Sequence, residues 1–164
     1  LDNNPQNREA LSRLEAIHRE REAWDDVEAI AQRWLGVATG EEAASVRFRL
    51  AVILLEQRQD RAGALEALAT VLNDAPGHAL ASKLVEDILG STPEADPDRV
   101  GIRARAADLL ERQYGADSPW RRWEAVYLAQ LEAATDREHK MLLHVQLGQL
   151  YQERGADPVN AMNG

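Results

Sequence analysis

WDDVEAIAQRWLGVATGEE, residues 24–42, and WRRWEAVYLAQLEAATDRE, residues 120–138, are two versions of one segment. Laid on each other, they match at Trp24 and Trp120, Glu28 and Glu124, Ala29 and Ala125, and Leu35 and Leu131. They match again at Ala38 and Ala134, Thr39 and Thr135, and Glu42 and Glu138. One further residue of offset brings Leu50 onto Leu147, Asp60 onto Asp157 and Ala64 onto Ala161. Generic amphipathic helices would share apolar positions; a shared polar Thr-x-x-Glu pair at helix-start spacing is harder to assign to composition. The chain is therefore read as an internal repeat built by stacking similar helical units.

Apolar residues recur at helical spacing outward from these segments, and no stretch alternates as a strand does. The spacing predicts a first helix over residues 7–21 with Ala10, Leu14 and Ile17 on its inner face. A second starts at Trp24 and turns Val27, Ile30, Ala31, Trp34 and Leu35 inward. Thr39-x-x-Glu42 reads as a capping box opening a third helix, which carries Val46, Leu50, Ile53 and Leu54. Asp60 is the expected N-cap of a fourth, with Ala64, Leu65, Leu68 and Leu72 inward. A short fifth helix covers residues 78–89, and residues 90–99 are the one linker-like stretch. Asp96-Pro97 and Ser118-Pro119 each put a capping residue before a first-turn proline, predicting the starts of helices six and seven. Thr135-x-x-Glu138 is a second capping box before helix eight, and Asp157-Pro158 opens a ninth. The expected fold is all-α: eight to nine antiparallel helices in a single domain over residues 1–164, interrupted by an irregular junction at 90–99. A start at Leu1 and a helix opening so close to Gly164 mark the chain as an expected piece of a longer array.

Composition narrows the function classes. There are 28 acidic residues against 19 basic ones, a formal charge of −9, which argues against nucleic acid because phosphate binding draws on basic patches. Only Lys83 and Lys140 are lysines, and the arginine- and alanine-rich background suggests a bacterial source with a GC-rich genome. No apolar run approaches the roughly 20 residues of a membrane span. With no cysteine, disulfides and thiolate metal sites are excluded and the compartment stays open. His139 and His144 are five apart and fall on different helix faces, so the histidines do not form a zinc pair. No glycine-rich phosphate loop, nucleophile elbow or carboxylate dyad is found, and no catalysis or cofactor is expected.

Leu147-Gly148-x-x-Tyr151 is the clearest of four related patterns; the others are Leu14-x-x-x-His18, Leu50-Ala51-x-x-Leu54 and Leu110-x-x-x-Tyr114. With Ala64, Leu68 and the tail Leu72-Asn73-Asp74-Ala75-Pro76, these resemble the tetratricopeptide repeat, a two-helix unit of about 34 residues. Leu1-Asp2-Asn3-Asn4-Pro5 resembles the tail of a preceding unit. The pattern departs from the family at Val27 and Trp123, where a small residue is usual, and at Glu15 and Glu111, which replace its glycine. The resemblance implies a right-handed α-α superhelix with Leu14, Leu50, Leu110 and Leu147 as its seam and a concave groove lined by the first helix of each pair.

By that resemblance the groove presents Arg13, Ala16, Arg49, Val52, Leu109, Arg112, Gln146 and Gln149, with Phe48 and Arg105 nearby. Such a lining suits an extended peptide, with arginine available to fork a carboxylate. The four tryptophans fall at helical spacing and read as packing residues. The function implied is a non-catalytic protein-interaction scaffold in a bacterial assembly, binding a protein or peptide. The alternative is a regulatory or substrate-docking segment of a larger multidomain enzyme such as a kinase.

Overall fold

A computed structural model describes residues 5–156, with side chains described over residues 8–153. Among the described residues there are eight α-helices and no strand. They are α1 (Pro5–Glu20), α2 (Trp24–Leu35), α3 (Gly40–Gln57), α4 (Arg61–Asp74), α5 (Ala79–Ser91), α6 (Arg99–Glu111), α7 (Trp120–Ala133) and α8 (Arg137–Ala156). The ninth helix expected from Asp157, and Leu1–Asn4, lie outside the described residues. The chain divides into two compact units, residues 1–81 and 82–164. That division falls inside α5, which also runs on to Ser91 and so takes in the start of the stretch expected to be a linker. Thr92 follows it buried, its hydroxyl donating to the Ile88 carbonyl at 2.6 Å.

In the first unit, α2 packs against both α1 and α3, and α3 against α4. Ala31, Trp34 and Ala38 close on Ala43, Val46 and Leu50 of α3, with Leu11, Leu35 and Leu54 around them. Leu65, Leu68 and Leu72 of α4 are fully buried, each contributing about 1.5–3 kcal/mol. In the second unit α6 packs on α7 and α7 on α8, the same order as α1, α2 and α3. Val126, Ala129, Leu110, Leu143 and Leu147 supply its core.

The hairpin turns carry a repeated device. Glu22 and Gln59, two residues ahead of α2 and α4, both take φ near 55°, a left-handed conformation uncommon outside glycine. Behind each, the chain folds back on the preceding helix: the Ala23 N–H donates to the His18 carbonyl and the Asp60 N–H to that of Leu54, both at 2.9 Å. The turns before α3 and α5 use glycines instead, Gly40 and Gly77. This groups α1 with α2 and α3 with α4 as hairpins.

Three expectations are corrected. The inner face of α1 is Arg8, Leu11, Glu15 and His18, whereas Ala10, Leu14 and Ile17 face solvent; Leu14, 44 % exposed, is not a seam residue. The reason is that Glu15, only 4 % exposed, is drawn inward by Arg19 and Arg49. Neither capping box forms. Thr39 makes no side-chain cap bond, and Glu42, the other half of the box, instead accepts from the Trp34 indole at 3.0 Å and pairs with Arg8. At α8 the cap is Asp136, whose carboxylate accepts from the His139 N–H, so helix and cap start later than Thr135 predicts. Finally, Asp96-Pro97 and Ser118-Pro119 lie just before their helices: Asp96 accepts from the Asp98 N–H and Ser118 from the Gly115 N–H. Asp60 does cap α4 as expected, accepting from Gly63 at 2.8 Å.

Candidate functional site

Tryptophan opens both α2 and α7, and each ring is half-buried beside a cleft. The cleft in the first unit is lined by Arg19, Trp24, Arg49, Val52, Ile53, Glu56 and Gln57. The cleft in the second is lined by Ala116, Ser118, Trp120, Trp123, Tyr127, Gln146, Gln149, Leu150 and Glu153. Under the offsets of the internal repeat these linings correspond: Trp24 with Trp120, Arg49 with Gln146, Val52 with Gln149, Ile53 with Leu150, and Glu56 with Glu153. Each unit therefore has a cleft at the equivalent place, between a tryptophan at the start of one helix and a stripe spaced by three, four and seven residues on the next.

Their volumes, about 190 and 290 Å³, sit below the roughly 300–1,000 Å³ of small-molecule pockets. They suit single side chains of a longer ligand better than a whole cofactor. The chemistry of the two differs. In the first, Arg49 bonds Glu15 at 3.1 Å and lies 4.9 Å over the Trp34 ring, while Arg19 bonds the same carboxylate at 3.0 Å. Two guanidiniums thus share one buried carboxylate, and Arg49 is not a free cation awaiting an anionic ligand. In the second unit Glu111 stands where Glu15 does but accepts from the buried Gln130 amide at 2.7 Å, and Gly115 and Gln146 stand where Arg19 and Arg49 do, so no arginine lines the cleft. Its wall is aromatic instead: Trp123 stacks on Tyr127 at 5.5 Å and meets Tyr114 edge-on at 5.5 Å. Burial pushes the Tyr127 hydroxyl above its ordinary pKa, with the Glu111 carboxylate adding to the effect. Tyr114 is raised further, by burial and by its 2.8 Å hydrogen bond to Glu86.

Of the residues assigned to the groove, Arg49 and Val52 meet in the first cleft and Gln146 and Gln149 in the second. The others are elsewhere. Arg13 bonds Glu9 at 2.6 Å on the exposed side of α1, and Ala16 is exposed beside it. Phe48 packs against His78, ring centroids 5.6 Å apart. Arg105 and Arg112 are exposed outside both clefts, and Leu109 is buried. Sequence reasoning treated Trp24 and Trp120 as packing and missed Tyr127, Glu56 and Glu153. The Trp24–Trp120 identity was the signal that could have found the clefts.

Among the described residues no group of three or more His, Cys, Asp or Glu side chains could hold a metal ion. Nor is any described helix long and apolar enough to cross a membrane. No family model, curated protein or solved structure matches the chain.

Proposed function

We propose that this chain is a non-catalytic protein-interaction scaffold, a tetratricopeptide-like stack of helical hairpins in a right-handed superhelix that takes an extended peptide along its clefts. The observation that carries this reading is the recurrence of one cleft, at one register, in each unit. A repeated shallow site is what an extended polypeptide can use, because its side chains recur along its length; a compact metabolite would meet only one copy.

The lining suggests how such a peptide is read. Val52 and Ile53 beside Trp24 take an apolar side chain in the first cleft. Trp120 and Tyr127 do so in the second, where Gln146 and Gln149 offer both donors and acceptors to a peptide backbone. Because Arg49 is shared with Glu15, an acidic side chain would have to compete for it, and apolar anchors contribute more to affinity than carboxylate capture.

Peptide display against the purified protein tests this. Selected peptides are expected to share apolar anchors, and to bind at least tenfold more weakly to Val52→Asp and to Gln149→Asp variants. Selection of peptides indifferent to both substitutions, or recovery of none, overturns the reading.

A further inference from the structure

Three side chains join α1, α2 and α3 in the first unit. Glu42 of α3 accepts from the Trp34 indole of α2 at 3.0 Å and pairs with Arg8 of α1 at 3.2 Å. In the second unit all three positions carry something else. The register that pairs Glu15 with Glu111 puts Ala104 in the place of Arg8, and the one that pairs Trp24 with Trp120 puts Gln130 in the place of Trp34. The starts of α3 and α8, Gly40 and Arg137, put His139 in the place of Glu42, as the same register puts Leu147 in the place of Leu50. A guanidinium and an indole thus give way to a methyl group and an amide, and the space they fill in the first unit is open in the second. Ala104, Gln130 and His139 together line a cleft of about 230 Å³, with Asp108, Thr135 and Asp136 among its other walls.

Charge is unbalanced at the same place. In the first unit Glu15 is answered by Arg19 and Arg49, and Glu42 by Arg8. In the second, Asp108 and Glu111 converge on one neutral donor, the Gln130 amide, at 3.2 and 2.7 Å. Among the described residues neither carboxylate has a cationic partner. Gln130 is only 8 % exposed, so this negative charge gathers beside a poorly hydrated group, where a cation is attracted more strongly than in water. Asp136 adds a third carboxylate to the wall, one oxygen of which caps α8 through the His139 N–H.

We propose that this cleft takes an arginine side chain presented by a partner protein, which supplies from outside the guanidinium that Arg8 supplies from within in the first unit. Arginine suits it better than lysine, because a planar fork of five donors matches walls of carboxylate and hydroxyl oxygens. The volume suits one side chain rather than a metabolite. No lining residue is shared with either tryptophan cleft, so the proposal stands apart from the peptide reading.

The test titrates N-acetylarginine amide into the 15N-labelled whole chain at pH 7 and follows the Gln130 side-chain amide resonances. Saturable shifts are expected, with affinity at least threefold weaker for N-acetyllysine amide and no saturation with N-acetylglutamate amide. Asp108→Asn should weaken arginine binding at least fivefold. Ala104→Arg, which builds the first unit's guanidinium into the cleft, should weaken it at least tenfold and unfold no earlier than the parent. Absence of saturable shifts overturns the proposal, as do equal affinities for the three amides, movement of the Trp120 indole in place of Gln130, or binding that survives both substitutions. It is equally overturned if the chain dimerises in sedimentation and Asp108→Asn abolishes that, since the occupant is then a second copy.

Discussion

Glu15 shows how one residue redirects an element. A carboxylate 4 % exposed is tolerable only if its charge is answered, and Arg19 and Arg49 answer it from two helices. Removing it takes away the carboxylate partner of Arg49, whose Nε is already buried without a hydrogen bond. Glu15→Ala is therefore expected to lower stability by about 1–3 kcal/mol, read from urea unfolding at pH 7. An unchanged midpoint would show that the pair contributes nothing net. Tyr114 gives a pH prediction. Its folded pKa is raised above the ordinary value near 10, so the unfolded chain loses the phenol proton first as pH rises. The stabilisation is fully present below about pH 10 and declines above it. In Tyr114→Phe, which removes the titrating group, the alkaline decline between pH 10 and 12 should be shallower; an identical decline would exclude Tyr114 as its source.

At the scale of elements, the capping residues separate what is local from what is not. Asp60 was legible because its partner, the Gly63 N–H, lies three residues away in the same chain segment. Thr39 and Glu42 have the same spacing, yet the Trp34 indole and Arg8 reach Glu42 from other helices, which no local pattern encodes. The expected difference is direct: Asp60→Ala should cost about 1 kcal/mol and Thr39→Ala close to nothing, by chemical denaturation. Equal losses would contradict the assignment of caps. The mistaken face of α1 has a similar origin. Periodicity favours Ala10, Leu14 and Ile17 over a stripe of Arg8, Leu11, Glu15 and His18, and only the Glu15–Arg49 ion pair to α3 and the His18–Asp26 contact to α2 explain why that stripe turns inward. Helix positions were otherwise readable from apolar spacing alone, with α2 and α7 starting at their tryptophans.

On the scale of the molecule, the matched segments 24–42 and 120–138 open α2 and α7, and in each unit a cleft beside the first tryptophan is lined at five equivalent positions. Four of the ten residues assigned to the groove and its edge, Arg49, Val52, Gln146 and Gln149, fall in those clefts. The rest do not: the register was carried over from Leu14 and Leu110 onto α1 and α6, of which only Arg19 of α1 reaches either cleft, and Phe48 packs against His78. What distinguishes the clefts chemically, a shared carboxylate in one and an aromatic wall in the other, depends on contacts between helices and was invisible to spacing.

The proposal that the cleft of each unit takes peptide is tested most directly by the tryptophan indole N–H resonances in a 1H–15N spectrum as a display-selected peptide is titrated in. Trp24 and Trp120 should each shift and saturate as the cleft of its own unit fills, while Trp34, buried with its indole donating to Glu42, stays in place. Saturable binding that leaves Trp24 and Trp120 unmoved would contradict the account.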